Sequence, residues 1–250
     1  MISKNQIKFI RQLEQKKYRR HERLFVAEGT KVVDDLLVRY QPHSLFATRE
    51  YLTSRPSLLQ TAFEVVEVTD DELQRISFQQ HPQQVLALFP LPENKNPEVN
   101  KEKLALALDG IQDPGNLGTI IRIADWFGID TIICSEDTVD AWNPKVVQAT
   151  MGSIARVNII YTDLLALLNT LPKGFPVYAT LLDGKNIYQQ PLSTNGLIIM
   201  GNEGNGISDA VRQKTNRRLL IPSFHQGDTA DSLNVAIATA ITCSEFRRRQ

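Results

Sequence analysis

Three stretches in the second half of the chain join glycines and turn formers to a few charged or amide side chains, a combination suited to holding and reacting a ligand. The first reads Asp109-Gly110-Ile111-Gln112-Asp113-Pro114-Gly115-Asn116-Leu117-Gly118-Thr119 and opens into the helical run LGTIIRIADWFG, with Asn116 placed to cap it. Arg122 sits there between Ile121 and Ile123. A guanidinium keeps its proton, so near apolar neighbours it requires an anionic partner. That partner is either Asp125, three residues on, or a phosphate or carboxylate brought from outside the helix.

The second stretch is Gly201-Asn202-Glu203-Gly204-Asn205-Gly206-Ile207-Ser208, where Ser208 could cap a following helix. Its glycines accept positive φ and let a ligand approach the backbone closely, although the same residues would also make a plain tight turn. The pattern is not the dinucleotide fingerprint, and it comes late in the chain rather than after a first strand. Glu203 adds nothing to a turn but could pair with Arg122. The third stretch runs from Ile221-Pro222-Ser223-Phe224 through His225–Asp231 to Ser232-Leu233-Asn234-Val235-Ala236. Ser232 is a natural cap for the final helix, and Asn234 lies off its apolar stripe, free to face a ligand. His225 reads as a surface loop residue rather than a base.

Each of these loops must be held by strands and helices, and the pattern supplies them. Apolar runs at 104–109, 131–135, 156–161, 177–182, 196–201 and 218–223 alternate with helices near 116–127, 144–152, 163–171 and 232–248. Near-continuous apolar strands of this kind belong to a parallel sheet covered on both faces. Upstream, a basic helix over 4–17, strands at 24–29, 44–48, 65–68 and 84–89, a helix over 31–40 and a polar middle form a smaller α/β unit. The segment PLPENKNPEVNKEK has little to bury. The chain therefore reads as a domain over 1–92, a linker over 93–103 and a second domain over 104–250.

Apolar residues at 42% and charged residues at 22% of 250 are ordinary for a soluble globular protein. No apolar run reaches the roughly 18 residues of a membrane span, and the N-terminus lacks a signal-peptide core. Cys134 and Cys243 are far apart in apolar stretches, which argues against a disulfide framework or a cysteine zinc site and suits a reducing cytoplasm. Net charge is zero, yet Lys4, Lys8, Arg11, Lys16, Lys17, Arg19, Arg20 and Arg23 crowd the beginning and Arg247, Arg248 and Arg249 the end. Such a run is either a solvated helix face or a local site for a polyanion.

Taken together and in order, DPGNLGTIIRIADWFGID, IIMGNEGNGIS and LLIP…SLNVAIA closely resemble the three motifs of the SpoU (TrmH-like) branch of the SPOUT methyltransferases, over about residues 104–248. FVAEGTKVVDDLL is similar, less specifically, to the N-terminal RNA substrate-binding domain of that family. The resemblance implies a parallel sheet tied into a trefoil knot, S-adenosylmethionine as cofactor, a homodimer, and transfer of a methyl group to a ribose 2′-hydroxyl of structured RNA. Ribosomal RNA is the preferred substrate and transfer RNA the second. By motif position it implies Asn116, Arg122, Glu203, Ser232 and Asn234 as the catalytic group. It implies Thr180, Leu181, Gly201, Asn202, Gly204, Ile221 and Leu233 around the cofactor.

The sulfonium supplies its own activation, so no metal is expected. Arg122, which stays protonated, is expected to orient the hydroxyl and stabilise its anion beside the partner subunit's cofactor, with Glu203 positioning it. Lys16, Lys17, Arg19, Arg20 and Arg23 are the expected RNA phosphate contacts, with Tyr18 as a stacking partner. Base methylation by another SPOUT branch, a knotted RNA-binding factor without catalysis, and a Rossmann-like nucleotide enzyme are the rival readings. The stretch between Pro222 and Ser232 is longer than the family's, which leaves the role of His225–Asp231 open.

Overall fold

The computed structural model describes residues 2–93, 99–225, 227 and 231–249. Part of the expected linker (94–98) and part of the long loop (226 and 228–230) therefore lie outside the described residues. Along the chain come α1 (Lys4–Gln12), α2 (Lys16–Glu22), β1 (Leu24–Glu28), α3 (Thr30–Leu37), β2 (Ser44–Ala47), α4 (Arg49–Thr53), β3 (Glu64–Glu67), α5 (Asp70–Ile76) and β4 (Val85–Pro90). They are followed by β5 (Leu104–Asp109), α6 (Pro114–Trp126), β6 (Thr131–Cys134), α7 (Pro144–Ala149), β7 (Asn158–Tyr161), α8 (Leu164–Thr170), β8 (Val177–Asn186), β9 (Gly196–Gly201), α9 (Asp209–Arg212), β10 (Arg217–Leu220) and α10 (Val235–Arg248).

Two compact units result: Met1–Glu93 with Asp140–Ala155, and Asn94–Val139 with Arg156–Gln250. The segment 140–155, expected in the second domain, thus packs in the first unit. The Trp142 ring lies 4.7 Å from that of Phe25, and Gln79 donates to Gln148 at 2.8 Å.

The first unit is a mixed sheet in the order β1-β4-β2-β3, with only β2 and β3 parallel. Ile10, Leu13, Val26, Phe46, Leu73, Ile76, Leu86 and Leu88 build a core against α1 and α5. The expected basic helix over 4–17 is instead two, broken at Leu13. The carbonyls of Leu13 and Glu14, left over at the end of α1, accept from Arg19 at 2.8 and 2.6 Å. Arg19 also pairs with Asp140 and is 2% exposed. It is therefore not available to an RNA phosphate, which corrects the expectation for this residue. The polar middle holds α4 and, after β3, α5; α5 starts at a capping box of Thr69 with Glu72.

The second unit is a six-stranded, wholly parallel sheet in the order β10-β8-β9-β5-β6-β7. β5 is buried along its whole length between β9 and β6, as its apolar sequence requires. The helix caps differ from expectation. Asp113, not Asn116, caps α6, accepting from the Asn116 N–H at 2.7 Å, and Pro114 takes the first turn. Asn234, not Ser232, caps α10, accepting from the N–H groups of Ala236 and Ile237 at 2.9 and 3.3 Å. Ser208 makes no side-chain cap; its N–H instead donates to Asp109 at 2.7 Å. Among the described residues, no helix is long and apolar enough to cross a membrane.

Candidate active site

Parallel strands deliver their C-terminal ends to one side of a sheet, and a ligand site is expected there. In the second unit the ends of β8, β9 and β10 and the start of α10 enclose a pocket of about 490 Å³. That volume lies in the range of small-molecule sites, roughly 300–1,000 Å³. All seven residues expected around a cofactor (Thr180, Leu181, Gly201, Asn202, Gly204, Ile221 and Leu233) line it, together with Glu203 and Ser232. The sequence reading missed Asp183, Met200, Arg212, Leu219, Asp231 and Val235, which also line it. Only their position beside the motif residues could have flagged them.

The β9–α9 loop is folded tightly onto itself. Asn202 and Gly206 exchange backbone hydrogen bonds at 2.9 Å in both directions. A Cβ on Gly201 would stand 2.3 Å from the Gly206 carbonyl carbon, so this position admits glycine alone. The Asn202 side chain is spent on the loop. Its Oδ1 accepts from the Gly204 and Asn205 N–H groups at 2.9 and 3.0 Å, and its Nδ2 donates to the Gly110 carbonyl at 2.7 Å. Asn202 therefore staples the second loop to the first, and only its remaining surface faces the pocket. The Thr180 hydroxyl is likewise turned to the Ile199 carbonyl at 3.2 Å.

Three of the five residues expected to be catalytic form one hydrogen-bonded chain. Asn234 Nδ2 donates to Asn116 Oδ1 at 2.9 Å, and Asn116 Nδ2 donates to Glu203 Oε1 at 2.8 Å. The direction is forced: Asn234 Oδ1 already accepts the two cap N–H groups, so its amide nitrogen must face Asn116. Each loop of the sequence motif contributes one member. Glu203 thus takes Asn116, and not Arg122, as its partner.

Arg122 is exposed on α6 and makes no hydrogen bond or ion pair among the described residues. The alternative pairing within the helix is also absent, since Asp125 accepts from Arg156 Nε at 2.9 and 3.1 Å. The helix thus presents one uncompensated guanidinium, open to an anion from elsewhere.

The two basic ends differ sharply. Lys16, Lys17, Arg20 and Arg23 are exposed in the first unit, while Tyr18 is half-buried against its core with Lys17 Nζ 4.8 Å above its ring. At the other end Arg247 donates to the carbonyls of Phe127 and Gly128 at 2.7 and 3.0 Å. Arg248 and Arg249 both hold Glu245, and Arg249 also donates to the carbonyls of Ile187 and Tyr188. Bonds from Arg248 and then Arg249 outweigh the opposing effect of burial and hold the Glu245 carboxyl down at about 2. Burial pushes the thiols of Cys134 and Cys243 up to about 12, so both are inert buried apolar groups. Among the described residues, no group of three His, Cys, Asp or Glu could hold a metal.

A parallel sheet whose strand ends and three loops form such a pocket is that of an α/β ligand-binding enzyme, and the chain belongs to the SpoU rRNA methylase family, whose model matches residues 103–244. Residues 4–87 match the MRM3-like substrate binding domain. The chain is 34% identical to the 23S rRNA (guanosine(2553)-2′-O)-methyltransferase RlmP of Bacillus subtilis (strain 168), over 98% of this chain and 97% of that protein. Among solved structures it is similar to a TrmH-family protein from Porphyromonas gingivalis, at 43% identity and a TM-score of 0.89 with all of both chains covered. It is also similar to an AdoMet-bound rRNA methyltransferase from Sinorhizobium meliloti, at 32% identity and a TM-score of 0.86, covering 100% of this chain and 97% of that one.

Proposed function

We propose that the protein methylates a ribose 2′-hydroxyl of ribosomal RNA with S-adenosylmethionine, acting in the cytoplasm as a homodimer whose second unit is threaded as a trefoil knot. The observation that carries this reading is the chain Asn234–Asn116–Glu203 beside a pocket of about 490 Å³, because it ties together all three motif loops. The cofactor presents a flat adenine ring, a ribose diol, a sulfonium and an ammonium cation, and a carboxylate. The pocket offers the apolar side chains of Leu181, Met200, Leu219 and Ile221, backbone at strand ends, and the carboxylates of Asp183, Glu203 and Asp231. These residues suit the group.

Bound S-adenosylmethionine supplies an electrophilic methyl carbon. The chain's own residues then have to hold the ribose oxygen in line with it, which contributes about 7–11 kcal/mol when the geometry is right. Arg122, permanently charged and unpartnered within the described chain, stabilises the oxyanion as it develops. A preorganised donor of that kind contributes about 2.7–4 kcal/mol. Glu203, fixed through Oε1 by Asn116, is a positioning residue for the pocket mouth, and Ser232 lines the same wall.

Support for the homodimer comes from α6 and α10, which pack against each other and expose Trp126 at 85% and Ile237 at 53%. Apolar side chains so exposed on adjacent helices call for a cover, and a second copy supplies one. Residues Lys16, Lys17, Arg20 and Arg23 would hold RNA phosphates in the first unit.

Calorimetric titration with S-adenosylmethionine is the direct test. One cofactor per subunit is expected; no binding by folded, cofactor-free protein would favour a knotted RNA-binding factor instead. Arg122→Ala should keep cofactor affinity and lose turnover by about 100–1,000-fold, the scale of one lost oxyanion donor.

A further inference from the structure

The edge of the second unit's sheet carries a group of cations that the pocket chemistry leaves unused. β10 is the edge strand, and Arg217 and Arg218 on it are both exposed. Arg212 and Lys214 lie just before it, and Lys185 on β8 stands in register with Leu219 of β10. The carboxylates on these same elements are Asp183 and Asp209. Asp183 Oδ2 receives both Arg212 Nη2 and Arg218 Nη1, the second at 3.5 Å.

One carboxylate cannot neutralise two guanidiniums. Asp183 therefore acts as a spacer that sets the two side by side and leaves net positive charge. Side chains 36–50% exposed make ion pairs of little worth to stability, so the arrangement is not explained by holding the fold. Its position is more telling. Asp183 and Arg212 also line the pocket, so the cations begin at the pocket rim and continue outward along the strand edge. In a chain of net charge zero this is a local concentration of one sign, and fixed, planar guanidiniums are matched to phosphate.

We infer that Lys185, Arg212, Lys214, Arg217 and Arg218 form a second RNA contact, gripping the phosphate backbone of the substrate strand beside the pocket. The inference rests on the reading of the protein as an RNA methyltransferase. It adds that RNA is held by the catalytic unit itself and not by the basic helix of the first unit alone. Contacts of this kind set the register of the strand and carry no sequence information.

The test uses full-length Lys185→Ala/Arg217→Ala/Arg218→Ala, leaving Arg212 in place because it lines the pocket. Arg217→Glu alone, which disturbs no Asp183 contact, is the companion variant. Binding of poly(U) is measured by anisotropy across a KCl series, cofactor binding by calorimetry, and methyl transfer on a 23S rRNA transcript. Cofactor affinity should stay as in the wild type. The slope of log K against log salt should fall by about 2 in the triple variant, three contacts at about 0.7 each, and by about 0.7 or more in Arg217→Glu. KM for RNA should rise while kcat is kept. Unchanged salt slopes and KM with intact cofactor binding would overturn the inference and leave these cations as guards against edge-to-edge pairing. Wild-type protein that binds cofactor but neither RNA would instead overturn the RNA reading on which the inference rests.

Discussion

The two arginine-rich stretches, 16–23 and 247–249, are both basic in the sequence and meet different fates in the fold. Lys16, Lys17, Arg20 and Arg23 stay exposed, whereas Arg247 and Arg249 are tied to backbone carbonyls, and Arg249 together with the exposed Arg248 to Glu245. Arg19 divides the first stretch itself, being buried among helix-end carbonyls and Asp140. The difference teaches that a basic run is not yet a polyanion site. What decides is whether unpaired carbonyls or carboxylates lie within reach, and helix ends are where unpaired carbonyls collect.

The largest effect should come from breaking the exception. Arg19→Ala leaves two carbonyls without their donor and Asp140 with only the Trp142 N–H, and should cost about 3–5 kcal/mol, as for other half-broken buried pairs. Denaturant unfolding followed through Trp142, which sits in the same unit, measures it. A loss below about 1 kcal/mol would mean that the residue is dispensable to the fold and open to RNA after all.

Next comes the C-terminal clamp, where the sign of the pH dependence sharpens the contrast. Glu245 has its pKa lowered from 4.5 to about 2 in the folded chain, so its contribution is present above about 4.5 and is lost as pH falls towards 2. Glu245→Gln should remove that part of the acid destabilisation and lower the melting temperature at neutral pH. A wild-type pH profile in the variant would show that the clamp contributes nothing. Asn234→Ala should cost about 1 kcal/mol as a lost helix cap. It should also release Asn116, so turnover should drop more than stability does; a fall in stability alone would leave the hydrogen-bonded chain without a role in the reaction.

The smallest stability change per site belongs to the quadruple variant Lys16→Ala/Lys17→Ala/Arg20→Ala/Arg23→Ala. It should stay within the roughly 0.5 kcal/mol per site of ordinary surface changes, yet reduce the salt slope of RNA binding by about 3, four contacts at about 0.7 each. An unaltered slope would erase the distinction between the two ends.

Much of the second unit was legible because its strands are buried on both faces. β5 and β9 read as apolar runs with the boundaries that the structure gives them. The first unit was harder. Its polar middle concealed α4, and α5 was announced only by the Thr69 and Glu72 capping box, a signature present in the sequence but passed over. At the site, the pocket residues could be named from motif order, but their partners could not. Glu203 was matched to Arg122 by charge, while geometry gave it Asn116, an amide with no charge to advertise it. The caps moved by two or three residues because Asp113, Asn116, Ser232 and Asn234 are all competent, and only the path of the chain selects among them. The segment 140–155 followed apolar partners in the first unit that no local pattern reveals.

The strand order carries a consequence for how the protein is made. β5 pairs on one side with β6, close in sequence, but on the other with β9, some ninety residues later. At about 5–20 residues per second the ribosome needs roughly 5–20 s to synthesise the missing neighbour. During that wait an apolar strand edge is bare, so the nascent chain passes through an interval of exposure to aggregation and chaperone capture, and contacts of such long range also slow the folding step itself.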